Sequence, residues 1–423
     1  MMTSSDEYAL LGATLIDGSG GPPLKDSAVV VKNARIIEVA ERKVIRLREG
    51  VQTLDLTGLF LLPGLIDCHI HFIGVSGWQP IDWITESNYM EAIRAVAEVR
   101  AVLEHGFTTV RSAGSRYDLH LRRAISEGTI PGPRIRACGL GPCRSSGHGD
   151  PVPRDLYDIP EDWVRSSLPW AQPCDGVEDL RKLIRRLIGQ NVDHIKFWAT
   201  GGGFWSRDRM RDSHYSVEEM TVIVEEAHMF GLRVMCHAEN MEAIRKIVDL
   251  GVDSIEHGDN EEGQELDAEI CKKMADKNIF LCPTIGVNFA EPDCMEKLPE
   301  PIVAGYQRAH SLGVKIIAGS DSYAAPVTPY GISSSRELGC LVEVLEFTPM
   351  EAIIAATKHA AQACELDEVT GSIEVGKYAD MIVIRRDPLS DIHALEQKQN
   401  LVYVFKEGRP MFEGSEISRG EDR

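Results

Sequence analysis

The feature that most constrains the fold of this 423-residue chain is a regular alternation of strand-like and helix-like segments. Short apolar runs, typical of buried strands, are each followed by a stretch with helical periodicity. Eight such runs occur: LLPGLIDCHIH (61–71), FTTVRSAG (107–114), PRIRACGL (133–140), DHIKFWAT (193–200), LRVMCHAE (232–239), DSIEHG (253–258), IFLCPTIG (279–286) and VKIIAGSDS (314–322). Strands that alternate with helices form parallel sheets with right-handed crossovers. Eight units predict an α/β fold, a closed (β/α)8 TIM barrel. The alternative is an open doubly wound sheet, but no GxGxxG turn follows the first strand.

The two ends of the chain have a different pattern, in which short alternating strands are separated by turn residues. They are ALLGATLIDG (9–18), SAVVVKNARIIEVAE (27–41) and VQTLDLTG (51–58) at one end, and GSIEVGKYADMIVIRR (371–386) and LVYVFKEGRPMFEG (401–414) at the other. We predict that residues 1–62 and 370–423 pair into one small β-sandwich. The barrel, residues 63–369, is then an insertion in it.

The composition limits the classes of binding partner and the cellular compartment that we expect. A formal net charge of -20 argues against binding to nucleic acid or to an anionic membrane, since both require basic surfaces. The ten cysteines form no CxxC pair, which favours free thiols in a reducing compartment. The first residues lack the pattern of a signal peptide, in which a basic stretch is followed by an apolar one. No later run approaches the roughly 18 apolar residues of a membrane span. We therefore expect a cytoplasmic protein that acts on a small molecule.

Polar side chains stand at the ends of five of the predicted strands. Alternation along a strand puts His69 and His71 on one face, and Lys196 lies within a strand where an unpaired ammonium would cost several kcal/mol. In a β/α barrel the active site forms at the carboxyl ends of the strands. The candidate metal ligands there are His69, His71, Lys196, His237, His257 and Asp321. Each alone has an ordinary structural explanation, but together they indicate a metal site.

These segments resemble those of the metal-dependent amidohydrolase superfamily, in its imidazolonepropionase-like and Xaa-Pro dipeptidase (prolidase) branch. The similar stretches are PGLIDCHIHF (63–72), HIKFWATGG (194–202), VMCHAEN (234–240), SIEHGD (254–259), AGSD (318–321) and the tail GSIEVGKYADMIVI (371–384). The resemblance spans essentially the whole chain. Single stretches are weakly specific, whereas their combination in this order is highly specific.

The resemblance implies a two-metal centre with a carbamate, derived from CO2, on Lys196. His69, His71 and Asp321 would hold the more buried ion, and His237 and His257 the other, with the carbamate shared. Such ligands suit Zn²⁺ best, and also Mn²⁺, Co²⁺ or Fe²⁺. A metal-bridging hydroxide would attack a carbonyl carbon, and Asp321 would pass the proton to the leaving amine. For Asp67, orienting the site and stabilising the strand end remain alternatives.

Loop residues are the candidates for substrate binding. His148, in SGHGDP (146–151), resembles a substrate-pocket histidine of this branch, and Tyr215 resembles a tyrosine that donates to the substrate carbonyl or to the oxyanion. Three arginines follow the lysine strand: Arg207, Arg209 and Arg211. They would either clamp a substrate carboxylate or form surface ion pairs with neighbouring aspartates.

The predicted function is hydrolysis of a C–N amide bond, in a dipeptide of Xaa-Pro type or an N-acyl amino acid. The alternative is a xenobiotic or secondary-metabolite amide, urea or carbamate, cyclic amides included, at the same centre. A catalytically silent metal-bound subunit would need a disrupted ligand set, and all six positions look intact. A deaminase is disfavoured, because such relatives typically use one metal without the lysine. The resemblance is compatible with a homo-oligomer of unspecified size.

Overall fold

A computed structural model describes residues 7–77, 79–151, 168–204, 208–258, 265–289, 298–325 and 327–414 of the chain. Its strands are β1 Glu7–Leu11, β2 Thr14–Leu15, β3 Ser27–Lys32, β4 Arg35–Glu41, β5 Gln52–Asp55, β6 Phe60–Pro63, β7 Leu65–Ile70, β8 Phe107–Ser112, β9 Arg134–Arg136, β10 Gly141–Cys143, β11 Ala171–Pro173, β12 His194–Trp198, β13 Arg233–Ala238, β14 Ser254–His257, β15 Phe280–Cys282, β16 Met381–Ile384, β17 Leu401–Lys406 and β18 Arg409–Glu413.

The described α-helices are α1 Pro80–Thr85, α2 Asn88–Leu103, α3 Asp118–Ser126, α4 Val177–Gly189, α5 Val217–Met229, α6 Met241–Leu250, α7 Ala268–Asp276, α8 Glu300–Ser311, α9 Ile332–Leu345, α10 Pro349–Ala355 and α11 Lys358–Ala363. Short 3-10 helices span Ile285–Phe289, Ile392–Leu395 and Lys398–Asn400. Among the described residues, no helix has both the length and the apolar character that crossing a bilayer requires.

Strands from both ends of the chain share a pair of sheets. One sheet has the order β4-β3-β1-β5, and the other has the order β18-β17-β16-β6-β2. In the second sheet β6 pairs antiparallel with β16, so a strand from the start of the chain bonds to one near its end. One apolar cluster includes Tyr8 and Val29 from the first sheet and Leu61, Met381 and Phe405 from the second. The domain boundaries at 62/63 and 369/370 stay predictions.

Parallel strands make up the central part of the chain. β7, β8 and β9 form one parallel sheet, and β12 to β15 form another in sequence order. Between β9 and β12 the amide of Asp193 donates to the carbonyl of Ala137 at 2.7 Å. Helices occupy the connections, as expected for βαβ units. The local signals agree: α5 begins with a capping box between Ser216 and Glu219.

The segment 316–322 joins the two parallel sheets on their other side. It makes parallel bridges from Ile316 to Leu281 of β15 and from Ser322 to Ile70 of β7. The prediction of a continuous strand over 314–322 is wrong, because only these isolated bridges form. Asp321 has a left-handed φ of 50°, far from the φ values of a regular strand. A Cβ on Gly319 would come within 2.7 Å of the Cβ of His69, so the two segments approach unusually closely.

Candidate metal centre and substrate cavity

The two histidines of the HxH stretch converge on one aspartate. The Nε2 atoms of His69 and His71 each lie 3.3 Å from Oδ1 of Asp321. Both histidines are buried at the carboxyl end of β7, and the amide of Asp321 donates to the carbonyl of His69 at 2.8 Å. Strand alternation therefore brings the two imidazoles together, and the final segment supplies the carboxylate.

Two further histidines extend this cluster. The ring centroid of His257, at the end of β14, lies 5.0 Å from that of His69. The ring of His237, on β13, lies 4.6 Å from that of His257. His69, His257 and Asp321 form one group with ligand atoms close enough to share an ion, and His237, Glu239 and His257 form another. Glu239 was not among the predicted ligands.

Lys196 lies buried on β12, with 0% of its surface exposed. Its Nζ has no hydrogen-bond partner among the described residues and lies 4.9 Å from the ring centroid of Trp198. Burial lowers its pKa. The nearest acid in the sequence, Asp193, pairs with Arg122 and Arg136 instead. A buried amine without a hydrogen-bond partner fits a group that becomes an anionic carbamate and is neutralised by bound cations.

The other ring nitrogen of each histidine is engaged by the protein, as is usual for metal-binding imidazoles. The contacts are His69 Nδ1 to Glu256 at 2.8 Å, His71 Nδ1 to the Gly114 carbonyl at 2.8 Å, His257 Nδ1 to Thr284 Oγ1 at 2.7 Å and His237 Nε2 to the Gly201 carbonyl at 3.1 Å. These contacts fix the rings. Three of the histidines are left with Nε2 and one with Nδ1 as the nitrogen available to a ligand.

The protonation states suit metal binding. Burial lowers the pKa of His69 to about 4, and burial also holds the pKa values of His237 and His257 well below their ordinary range. Burial alone would raise the pKa of Asp321, but the surrounding histidines hold it below its usual value. Neutral imidazoles and an ionised carboxylate are the forms that bind divalent cations.

Two of these residues occupy an unusual backbone conformation. His257 has a φ of 66° and Asp321 a φ of 50°, in the left-handed region that favours glycine. Such outliers cost free energy and concentrate at functional sites. Their presence at two neighbouring candidate ligands supports a functional role for both positions.

A buried ionic network below the cluster was missed by the sequence analysis. Arg111 donates to the Cys68 carbonyl at 2.8 Å, to Ser254 Oγ at 2.9 Å and to Glu256 Oε1 at 2.9 Å. Glu256 also accepts from His69. The sequence carried only a weak signal for this network: Ser254 and Glu256, two positions apart, share one face of the strand that ends in His257.

Asp67 connects the first and last barrel segments. Its Oδ1 accepts from the amide of His69 at 3.0 Å and from the amide of Ser320 at 3.1 Å. His69 is itself a candidate ligand, and Ser320 directly precedes the candidate ligand Asp321. Asp67 therefore stabilises the strand end and, through the backbone, holds the two ligand segments together.

A small cavity, of about 20 Å³ in this structure, opens beside the cluster. It is lined by His71, His148, Trp170, Trp198, Phe204, Asp321 and Tyr323. Four of the seven are aromatic, and none of these lining residues is a lysine or arginine. The cavity thus offers an aromatic environment, with three polar side chains, next to the candidate ligands.

The structure brings His148 into the site. Its ring stacks on His237 with centroids 4.6 Å apart and an interplanar angle of 19°. Its Nδ1 lies 2.6 Å from Oδ2 of Asp208, a buried acid to which the sequence analysis assigned no role in the site. The loop histidine is therefore next to the candidate metal ligands, as predicted for a residue that contacts substrate.

Other predicted substrate residues are placed differently. Tyr215 is buried, and its hydroxyl donates to the Cys174 carbonyl at 2.9 Å rather than lining the cavity. Arg209 pairs with Asp212 at 2.8 Å and 3.0 Å, and Arg211 is exposed. Arg207 lies outside the described residues. The roles of Tyr215 and the three arginines stay predictions.

Comparison with known proteins agrees with this geometry. Residues 60–411 match the Amidohydrolase family. The chain is 28% identical to an ochratoxinase of Aspergillus niger, over all of this chain and 91% of that one. It is 25% identical to an imidazolonepropionase of Pseudomonas putida, over 90% of this chain and 92% of that one. Among solved structures, a prolidase complexed with N-methylphosphonate-L-proline superposes with a TM-score of 0.85 at 30% identity, covering 96% of this chain and 99% of that chain.

The family match and these neighbours imply the TIM-barrel amidohydrolase fold. The family generally uses divalent metal ions, and the histidine and carboxylate groups described above are suitable ligands. The chain belongs to the amidohydrolase family, in its prolidase-like branch, and is a hydrolase that acts on carbon–nitrogen bonds.

Proposed function

We propose that this protein is a binuclear metal-dependent amidohydrolase that cleaves the amide bond of a dipeptide or an N-acyl amino acid. One observation carries the proposal. A fully buried lysine amine, without a described hydrogen-bond partner, lies near enough to His69, His237 and His257 that its charge would lower their pKa values, and near enough to Asp321 that the carboxylate would raise its own. Carboxylation of Lys196 and binding of two cations would account for all six groups at once.

The residues divide naturally between two ions. His69, His71 and Asp321 would hold one, His237 and His257 the other, and a carbamate on Lys196 would lie between them. Zn²⁺ fits this donor set best, with Mn²⁺, Co²⁺ and Fe²⁺ as further candidates. When bound, the two ions supply an activated water and polarise the scissile carbonyl.

Asp321 is suited to move the proton. It contacts both histidines of the HxH stretch and also lines the cavity, with its side chain 14% exposed. An ionised carboxylate in this position can accept a proton from the attacking water and deliver it to the leaving nitrogen. Asp321 thus connects the metal cluster with the place where a substrate would lie.

The aromatic lining supports a preference about the substrate. Trp170, Phe204 and Tyr323 favour an apolar or aromatic group next to the amide, since such rings stack and exclude water. The relatives named as a prolidase and an ochratoxinase support the choice of an amide substrate. For Arg207, Arg209 and Arg211 the two alternatives stay, a clamp for a free carboxylate or ion pairs with neighbouring aspartates such as that of Arg209 with Asp212, and Tyr215 stays the proposed oxyanion donor.

The same lining favours a second candidate function. An aromatic cavity beside an amidohydrolase centre would also accept a xenobiotic or secondary-metabolite amide, urea or carbamate. The two candidates differ in one respect: a dipeptide or N-acyl amino acid presents a carboxylate, whereas the alternative substrates do not.

We also propose the architecture in finer detail. The eight parallel segments, closed by the contacts of 316–322 and of Asp193, would form one (β/α)8 barrel. The two sheets built from the chain ends would form a β-sandwich beside it.

The test is an amine-release assay after purification with bicarbonate and Zn²⁺ or Mn²⁺. The panel contains dipeptides with proline, aromatic and acidic side chains, N-acyl amino acids, aryl amides and ureas. Lys196→Ala is the test variant, and Lys182→Ala, at an exposed helix position, is the control. We expect turnover of dipeptides or N-acyl amino acids that is lost only in Lys196→Ala.

Two other outcomes would change the conclusion. Turnover restricted to amides or ureas without a carboxylate would move the function to the second candidate. Turnover that survives in Lys196→Ala would overturn the binuclear centre itself.

A further inference from the structure

The loop after β12 carries a buried carboxylate that the candidate metal centre does not use. Asp208 is 3% exposed. Its Oδ1 accepts from the amide of Gly202 at 3.1 Å, and its Oδ2 accepts from the amide of Phe204 at 3.1 Å. Its own carbonyl accepts from the amide of Gly203 at 2.7 Å. Gly202, Gly203 and Phe204 therefore all bond to Asp208.

The same carboxylate holds a histidine from a different loop. Nδ1 of His148 lies 2.6 Å from Oδ2 of Asp208, although the two residues are 60 positions apart. An ionised carboxylate can only accept a hydrogen bond, so the proton of this contact belongs to Nδ1. The contact thereby makes Nε2 the nitrogen through which His148 can meet other groups.

The ring of His148 lines the aromatic cavity beside the metal cluster. On one side it stacks on His237, as described above. Relative to Trp170 it is parallel, with centroids 6.4 Å apart and an interplanar angle of 3°, and it meets Phe204 edge-on at 5.6 Å. A rotation of this ring would change the surface that a substrate meets beside the metal ligands.

We propose that Asp208 is a positioning residue, which fixes the ring orientation and the Nδ1 proton of His148 so that His148 contacts the substrate between the metal centre and the aromatic cavity. This inference rests on the proposed amide hydrolysis. In this proposal Asp208, from the loop after β12, sets the geometry of His148, from the loop after β10.

The electrostatics agree with this assignment. Burial alone would raise the pKa of Asp208, but the hydrogen bonds from His148 and from the amide of Gly202 hold it below its ordinary value. Asp208 is therefore ionised near neutral pH and acts only as an acceptor. The arrangement follows the general rule that a carboxylate fixes the tautomer of a functional imidazole.

The first experiment is a double-mutant cycle on the best substrate of the amide panel. Asp208→Asn keeps the size of the side chain and an oxygen for a loop amide, but its NH2 group favours the opposite tautomer of His148. We expect kcat/KM to fall about 10- to 100-fold. His148→Ala should cost at least as much, and the double variant should be no worse than His148→Ala.

The control is a similar pair elsewhere. Glu396 lies 2.6 Å from Nδ1 of His393 in the C-terminal part of the chain, so Glu396→Gln alters the same kind of contact and should leave kcat/KM unchanged. Multiplicative losses in the Asp208 and His148 variants would show that Asp208 acts only by stabilising its loop, and would overturn the proposal.

The second experiment needs no turnover. Spectra of protein labelled with ¹⁵N-histidine should show a proton on Nδ1 of His148, assigned by its loss in His148→Ala, and Asp208→Asn should move that proton to Nε2. A wild-type proton on Nε2 alone would contradict the inference. Absence of amide turnover in the wild type would overturn the proposed function instead, and the spectra would still test the Asp208–His148 pair.

Discussion

Two cationic side chains lie buried inside the parallel-stranded region, and their surroundings differ. Arg111, on β8, is 4% exposed and donates to a carbonyl, a hydroxyl and the carboxylate of Glu256. Lys196, on β12, is 0% exposed and has no described hydrogen-bond partner. The chain itself satisfies the guanidinium but leaves the amine to be satisfied by something else. Burial with partners indicates a structural role, whereas burial without them indicates a functional one.

The largest effect should come from breaking the satisfied pair. Arg111→Met leaves the Glu256 carboxylate buried without its cation, so we expect the free energy of unfolding to fall by about 3–5 kcal/mol. Urea denaturation of the metal-free protein measures this. The control, Arg123→Met, removes an exposed helix arginine and should change stability by less than about 0.5 kcal/mol. A loss below about 1 kcal/mol for Arg111→Met would remove the contrast between the two cations.

The opposite sign is expected for the unsatisfied lysine. Lys196→Met replaces a buried amine by an apolar group of similar length, so the metal-free protein should become more stable by about 1–3 kcal/mol. The same variant should lose amide hydrolysis. Denaturation in the presence of a chelator, together with the assay, measures both. If Lys196→Met were destabilised like Arg111→Met, the lysine would have a structural partner and the comparison would fail.

A third change sharpens the role of the shared carboxylate. Glu256→Gln preserves shape but removes the charge that fixes the His69 ring, so affinity for Zn²⁺ should fall about 10- to 100-fold. Competition with a chromogenic chelator gives the affinity. Glu226→Gln is the matched control, because Glu226 is also buried and bonded to arginine but touches none of the candidate ligands. Equal affinities in the two variants would contradict this role.

A pH-dependent effect is expected from Glu98, a buried acid on α2. Burial raises the pKa of Glu98 to about 8, from an ordinary value of 4.5. Between these values the folded state binds more protons than the unfolded state, so stability falls as pH rises, by at most about 1.4 kcal/mol per pH unit from this group. Glu98→Gln should flatten this slope in urea denaturation between pH 5 and 8. An unchanged slope would show that Glu98 is already ionised in the folded protein.

Strand periodicity explains which site residues could be predicted. His69 and His71 follow from alternation within one strand, and Lys196, His237 and His257 from their places in other strands. The family and the hydrolase activity on carbon–nitrogen bonds, predicted from these motifs, are confirmed by the comparisons. Local pattern is sufficient to predict that these side chains lie together, because the carboxyl ends of parallel strands meet at one edge of the sheet.

The missed residues depend on contacts that no local pattern encodes. Arg111 and Glu256 are 145 positions apart, and nothing near either one signals the other. Asp208 has charged neighbours in the sequence, a pattern typical of an exposed loop, yet it is buried. Trp170 and Tyr323 line the cavity from segments without strand or helix periodicity. Sequence patterns identified the groups at strand ends but not those that orient them.

The meeting of the chain ends constrains the order in which this protein can be completed. The hydroxyl of Tyr8 donates to the carbonyl of Gly408, a contact across 400 positions, and β6 bonds to β16. At ordinary rates of synthesis the first strands must wait tens of seconds on the ribosome for these partners. During that time their apolar faces have no native cover. Truncation near the C-terminus would therefore leave the N-terminal strands without their partners, and their exposed apolar faces would bind chaperones.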